Sequence, residues 1–206
     1  MILILLFTLG LVAGLSRGGS FRNLARLEIR HGWLPLLAFG LQAAIVLFPR
    51  DTAAIPVSVR TAVLLITYGG LIAFLVLNRN LPGSRLLLIG AALNAAVMLA
   101  NRGFMPVTPE ALARSGHTGY IVTEGSDLFV NRSKDIVLER EDTRLWVLSD
   151  VLGIPAPLPF SSNFSLGDLL IGLGAAWLVY QGLTHSAGTP ERTSAAHPDA
   201  AAPAEP

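Results

Sequence analysis

The chain has 206 residues, 52% of them hydrophobic and 14% charged, with a formal net charge of +1. That charged fraction is about half the average for a soluble domain, and the near-neutral balance excludes a general nucleic-acid-binding surface. Cysteine is absent, which excludes disulfides, thiol catalysis and cysteine-based metal sites.

Five apolar runs set the class: Met1–Leu15, Gly32–Phe48, Thr61–Leu77, Leu86–Ala100 and Leu166–Leu183. Four contain no Asp, Glu, Lys or Arg, and the fifth contains only Asp168. A spanning helix needs about 17–25 predominantly apolar residues. Flanking Ser16, Asn78, Asn80 and Asn101 extend these short runs toward that length. Met1–Leu15 lacks a basic leader and a small-residue cleavage site, so it reads as a first span rather than a signal peptide. The expected fold class is an all-α integral membrane protein, with five transmembrane helices and a long, mostly irregular outer-face insert before the last helix. Residues 1–183 form the membrane domain, with the insert at about 101–165. Residues 184–206 are Ala-, Pro-, Ser- and Glu-rich and are expected to be disordered.

Lys and Arg in short loops set topology. The first and third connections and the tail carry Arg17, Arg22, Arg26, Arg30, Arg79, Arg85 and Arg192, whereas the second carries Arg50 and Arg60. A bacterial plasma-membrane protein with its N-terminus outside and its C-terminus in the cytoplasm is expected.

Taken in order, Ser16–His31 reads as an interfacial helix capped by Ser20, with Arg22, Arg26 and Arg30 along one face toward anionic lipid heads at the inner side. Small residues four apart mark close helix packing: Gly10/Gly14, Gly69/Ala73, Ala91/Ala95, Ala92/Ala96 and Gly172/Ala176. In the insert, Thr108-Pro109-Glu110 opens a short helix that Gly116 ends. Tyr120–Thr123 and Asp127–Val130 are β-like runs around Glu124-Gly125-Ser126. Lys134–Arg144 reads as charged and solvated.

Polar groups at membrane depth are costly and mark candidate sites. Gln42 and Asn94 lie mid-span. Asn94 and Asn101 share a helix face, and with Arg102 they suggest a polar binding cavity opening outward. Asp168 follows Ser165 by three residues, a capping-box-like pattern at the start of the last helix. Asp150 follows the apolar run Leu145-Trp146-Val147-Leu148 and also falls at the outer surface. Two carboxylates that share a site split their pKa values, as in an aspartyl protease, so Asp150 and Asp168 are the candidate catalytic pair. His31, His117, His185 and His197 show no metal-ligand spacing, and no metal or cofactor is expected.

Three segments carry a resemblance: Leu34-Pro35-Leu36 with Gln42; Asn101-Arg102-Gly103-Phe104-Met105-Pro106-Val107-Thr108-Pro109-Glu110-Ala111-Leu112; and Thr143-Arg144-Leu145 through Ser149-Asp150-Val151-Leu152-Gly153-Ile154-Pro155 to Phe164-Ser165-Leu166-Gly167-Asp168. Together they resemble a family of small bacterial multi-pass membrane proteins classed as a domain of unknown function. The resemblance implies a membrane location. The family's Lys-His pair ahead of Thr-x-Leu meets Lys134-Asp135 here, so no histidine role carries over. A more distant similarity is to lipoprotein signal peptidase, through the order Asn101-Arg102-Gly103, Asp150 and Asn163-Phe164-Ser165-Leu166-Gly167-Asp168. Ser165 and Gly167 depart from that motif, and there are five runs where that family has four spans. The expected function is binding or scaffolding at the outer face. The alternatives are an aspartyl peptidase using Asp150 and Asp168, or a small-solute transporter, which the absence of repeats and of buried charge pairs argues against. The expected partners are the lipid bilayer and, at the inner face, anionic lipid.

Overall fold

A computed structural model describes residues 1–47, 55–131 and 133–185. The expected disordered tail lies outside these residues. The five apolar runs form helices α1 (Ile2–Ser16), α3 (Trp33–Leu47), α4 (Val57–Leu77), α5 (Ser84–Ala100) and α7 (Leu166–Thr184). Two of them, α4 and α7, are long and apolar enough to cross a membrane, and α1, α3 and α5 are apolar but shorter.

Glycines set the bundle's closest approaches. Gly10 and Gly14 are the buried residues of α1 and face Ala176 and Leu183 of α7, while Gly172 faces Leu6. Numbering rises together along this contact, so α1 and α7 run parallel. A Cβ on Gly10 would lie 2.5 Å from the Ala176 carbonyl oxygen, so only glycine permits this spacing. α5 runs antiparallel to α7, with Gly90 against Gly167 and Gly83 against Gly174. The expected packing role of Gly69 is not seen: nothing lies within 4 Å of where its Cβ would be.

The segment after α1 differs from its expectation. Only Phe21–Leu24 is helical (α2), with Ser20 accepting from the Arg22 N–H. The Ser20 N–H and the Asn23 carboxamide both donate to the Leu183 carbonyl. Further on, Asn78 accepts from the Arg30 N–H at 2.8 Å and donates to the Arg30 carbonyl at 2.9 Å. The backbone of Arg30 is thereby satisfied by a side chain instead of a helix ladder. Arg22, Arg26 and Arg30 are exposed but do not share a helical face.

The insert is not mostly irregular, and the fold is not all-α. Its strands β1 (Met105–Val107), β2 (Ile121–Glu124), β3 (Asp127–Val130) and β4 (Asp135–Val137) form a sheet of order β1-β4-β3-β2. β1 pairs with β4 in parallel and the other pairs are antiparallel. A second pair, β5 (Leu152–Ile154) and β6 (Ser162–Phe164), leads into α7. The expected insert helix is α6 (Pro109–Ser115), with Thr108 accepting from the Ala111 N–H and Gly116 closing it at φ 74°. This small α/β cap sits on the bundle through a shared core. Leu64 and Tyr68 of α4, with Val97 and Met98 of α5, pack against Phe104, Met105, Phe129 and Ile136. The Arg60 guanidinium, from the first turn of α4, lies 4.8 Å from the Phe129 ring centre and 5.5 Å from that of Phe104.

Candidate functional site

Where cap meets bundle, four chain segments deliver ionisable groups to one place. β1 is the organiser. Its Met105 N–H donates to the Lys134 carbonyl, and its Pro106 carbonyl accepts from the Asp150 N–H at 3.0 Å. Lys134 and Asp135 therefore enter at the start of β4, and Asp150 enters just ahead of β5. The β5–β6 pair returns the chain to Ser165, which begins α7. From below, α4 contributes Tyr68 and α5 contributes Asn94.

Asp168 is held on both oxygens. Its Oδ1 accepts from Asn94 Nδ2 at 2.7 Å, and its Oδ2 accepts from the Ser165 N–H at 3.3 Å. The Ser165 hydroxyl accepts from the Asp168 N–H at 2.9 Å and donates to Asn94 Oδ1 at 2.8 Å. The capping box expected from sequence is complete and extends across the helix interface to Asn94, which is fully buried.

Lys134 keeps 24% of its side-chain surface, but its ammonium nitrogen is buried, 3.9 Å from Asp135 Oδ1. The expectation of a solvated Lys134, and of no buried charge pair, is overturned here: β4 is slotted between β1 and β3, which carries its first residues under the cap. Asp150 is 4% exposed. Lys134 Nζ, Asp135 Oδ1 and Asp150 Oδ1 have no hydrogen-bond partner among the described residues.

Burial pushes the Asp150 carboxyl well above its ordinary range. Lys134 opposes the shift, and Asp135 and Asp168 reinforce it. Burial likewise raises Asp135, against Lys134 and its 2.7 Å bond from Ser133. Burial on its own would lower Lys134. The surrounding acids, Asp150 foremost, outweigh it and hold the ammonium well above its usual value. Lys134 therefore stays charged, while Asp150 and Asp135 are both held toward their protonated forms.

The other sequence candidates fall elsewhere. Asn101 clamps a peptide unit: its carboxamide donates to the Arg144 carbonyl at 2.9 Å and accepts from the Arg144 N–H at 3.1 Å. Arg102 forms a two-pronged ion pair with Asp127 at 3.1 and 3.2 Å. Both line a groove of about 390 Å³ with Asp142 and Arg144, and neither Asp150 nor Asp168 lines it. Gln42 donates to Thr67 Oγ1 at 2.7 Å, joining α3 to α4. Among the described residues no group of three His, Asp or Glu is placed to hold a metal ion. Lys134, Asp135 and Tyr68 are the members that sequence reading missed. The one available signal was a Lys-Asp pair directly ahead of the apolar triplet Ile136-Val137-Leu138.

The molecule is thus a bundle of apolar helices capped by a small sheet, with a buried Lys-Asp cluster between them. The chain belongs to a family described as "Family of unknown function (DUF5317)", whose model matches residues 26–180. A relative from Thermotoga maritima, described as an uncharacterized protein, is 28% identical over 160 residues, covering 76% of this chain and 77% of its own. No solved structure matches the chain significantly.

Proposed function

We propose that this protein is a five-span protein of a bacterial plasma membrane, with its cap outside, whose capped cluster binds a small polar solute. The membrane part is supported by the bundle's outer surface. Phe39, Leu36 and Ile66 are 74%, 73% and 68% exposed, with Ile4, Phe7, Leu99 and Trp177 also exposed. So many exposed large apolar side chains on the helices mark a membrane or partner interface. The cap lies at the N-terminal ends of α1, α4 and α7, and the short connections at the opposite end carry Arg17, Arg22, Arg26, Arg30, Arg79 and Arg85 against Arg50 and Arg60 in the short connection on the cap side, which supports the orientation.

The observation that carries the binding reading is the set of buried polar groups left without hydrogen bonds. An ammonium and two carboxylate oxygens are each shielded from water and make no hydrogen bond among the described residues, although Lys134 and Asp135 attract each other across 3.9 Å, a state that costs free energy unless something else supplies the missing bonds. A small solute bearing both hydrogen-bond donors and an acceptor fits that demand. The peptidase alternative draws on one specific observation: Asp150 is pushed toward its neutral form while Asp168 sits at a helix N-terminus that favours charge. Against it, both Asp168 oxygens are already engaged by Asn94 and Ser165.

The test has two parts. Single cysteines at Ser126 and Ser194 should react with an impermeant thiol reagent in intact cells at 126 and not at 194; the reverse pattern refutes the topology. Purified protein is then heated with panels of amino acids, amines and sugars. Stabilisation by one class, lost in Lys134→Met, is expected. A ligand that stabilises Lys134→Met equally refutes the site.

A further inference from the structure

The end of the bundle opposite the cap carries a second candidate site, and its argument rests on the membrane reading above. The turn between α4 and α5 and the flank of α7 line an open cavity of about 620 Å³. Arg79, Asn80 and Arg85 supply its polar lining, and Leu81, Leu86 and Trp177 its apolar lining. No acidic residue lines it, and among the described residues neither arginine is in ion-pair contact with a carboxylate.

The turn is rigid. The Ser84 hydroxyl is within 2.7 Å of both the Arg79 and Leu81 carbonyls. Gly83, at φ 77°, lies so close to the Gly174 carbonyl that no side chain fits there. Asn78, just before the turn, fastens it to Arg30. Arg79 and Arg85 are thus exposed on a fixed base and share the cavity lining with Trp177 of α7.

Depth identifies the occupant. Gly83 meets α7 at Gly174 and Leu178, while α7 continues to Thr184. At 1.5 Å per residue the turn is recessed by about 9–15 Å from the end of α7. Trp177 and Tyr180, with ring centres 6.3 Å apart, lie at the same level. Trp and Tyr gather where a span meets the membrane interface, so with the last turns of α7 among the headgroups the recessed cavity lies just beneath them, from where long arginine side chains snorkel outward to the phosphates. The cavity therefore presents two cations to the headgroups beside apolar walls that suit acyl chains.

We propose that this cavity binds the phosphate of an anionic phospholipid of the inner leaflet, with Arg79 and Arg85 on the phosphate and Trp177, Leu81 and Leu86 against the proximal acyl chain. Guanidinium groups match phosphate oxygens through paired hydrogen bonds, and the apolar half of the lining separates this site from one for free phosphate.

The full chain is purified in detergent, stripped of lipid and titrated with phosphatidylglycerol or phosphatidylcholine, with bound lipid counted by native mass spectrometry. Phosphatidylglycerol should bind more tightly. Each basic residue near an anionic surface contributes about 1 kcal/mol, or about fivefold, so Arg79→Gln/Arg85→Gln should erase a preference of about 25-fold. Both arginines are exposed, so the variant should fold. Arg79→Lys/Arg85→Lys should keep most of the preference, and Arg140→Gln, in the cap, should keep all of it. Equal binding by the wild type and Arg79→Gln/Arg85→Gln overturns the site. Displacement of the lipid by millimolar inorganic phosphate overturns the assignment to lipid. A carbonate wash of native membranes separates the two readings: a released protein refutes the membrane reading, and a retained protein without lipid preference refutes only this site.

Discussion

Exchanging Asn94 and Asp168 tests whether the cap-to-bundle polar cluster is a matched set of donors and acceptors. In the wild type, Asp168 accepts from Asn94 on one oxygen and from the Ser165 N–H on the other. Asp168→Asn replaces one of these oxygens with an amide that can only donate. Whichever way it turns, one donor faces another donor. A buried donor left unsatisfied costs about 1–3 kcal/mol. Losing the charge at the start of α7 adds about 0.3–1 kcal/mol, so the single variant should be destabilised by about 1.5–4 kcal/mol. Asn94→Asp alone sets two carboxylates against each other and should be at least as harmful. When the two substitutions are combined, the carboxylate now at position 94 accepts from the carboxamide now at position 168. It still accepts from the Ser165 hydroxyl, so the pattern is restored with one bond reversed. The double variant should lie within about 1 kcal/mol of wild type, the remainder being the lost helix-end charge. The resulting coupling would exceed the average of about 0.6 kcal/mol for hydrogen bonds between helices in membranes, because three partners share it. Thermal unfolding in detergent, followed by tryptophan fluorescence, measures all four proteins. An Asp168→Asn variant within about 0.5 kcal/mol of wild type, or a double variant no more stable than either single, would refute the matched-set account.

Two further outcomes follow from packing and protonation. Gly10→Ala should destabilise the bundle by about 1–3 kcal/mol, because its Cβ would meet backbone atoms of Ala176; an unchanged unfolding midpoint would show that α1 and α7 are not in contact. Stability should decline as pH rises from 3.8, because the folded Asp150 carboxyl holds its proton above that ordinary value and the unfolded one does not. Lys134, raised in the fold, contributes fully below 10.5 and adds no slope between about pH 4 and 8. Asp150→Asn should flatten the decline, leaving the share of Asp135, and midpoints across that range that rise with pH in the wild type would contradict the assignment.

Much of the helical frame was legible because apolar residues without charges have few other places to go. The observed helix limits fall within a few residues of the five runs. Local signals also worked where their chemistry is local: Thr108 and Gly116 around α6, the β2–β3 turn at Gly125, and Ser165 with Asp168. What failed depends on distant partners. Ser133-Lys134-Asp135 reads as solvated on its own, and only the parallel pairing of β4 with β1, set 30 residues earlier, carries it inside. The four-residue spacing of Arg22, Arg26 and Arg30 matched a helix, but the competing bonds from Asn78 lie 48 residues away. Asn101 shares a helix face with Asn94, which suggests one polar cavity for both; its carboxamide is instead engaged with the backbone of Arg144, a partner 43 residues on.

The parallel contact between α1 and α7 has a consequence for biosynthesis. Gly10 and Ala176 are 166 residues apart, and a ribosome adds about 5–20 residues per second. The first helix therefore waits roughly 8–33 s for the partner that covers its glycine stripe. During that interval its Gly10–Gly14 face is open to any helix with small residues, including α1 of another nascent chain. Crowded synthesis should thus favour mispaired first helices, and slowing translation downstream of α5 should increase them.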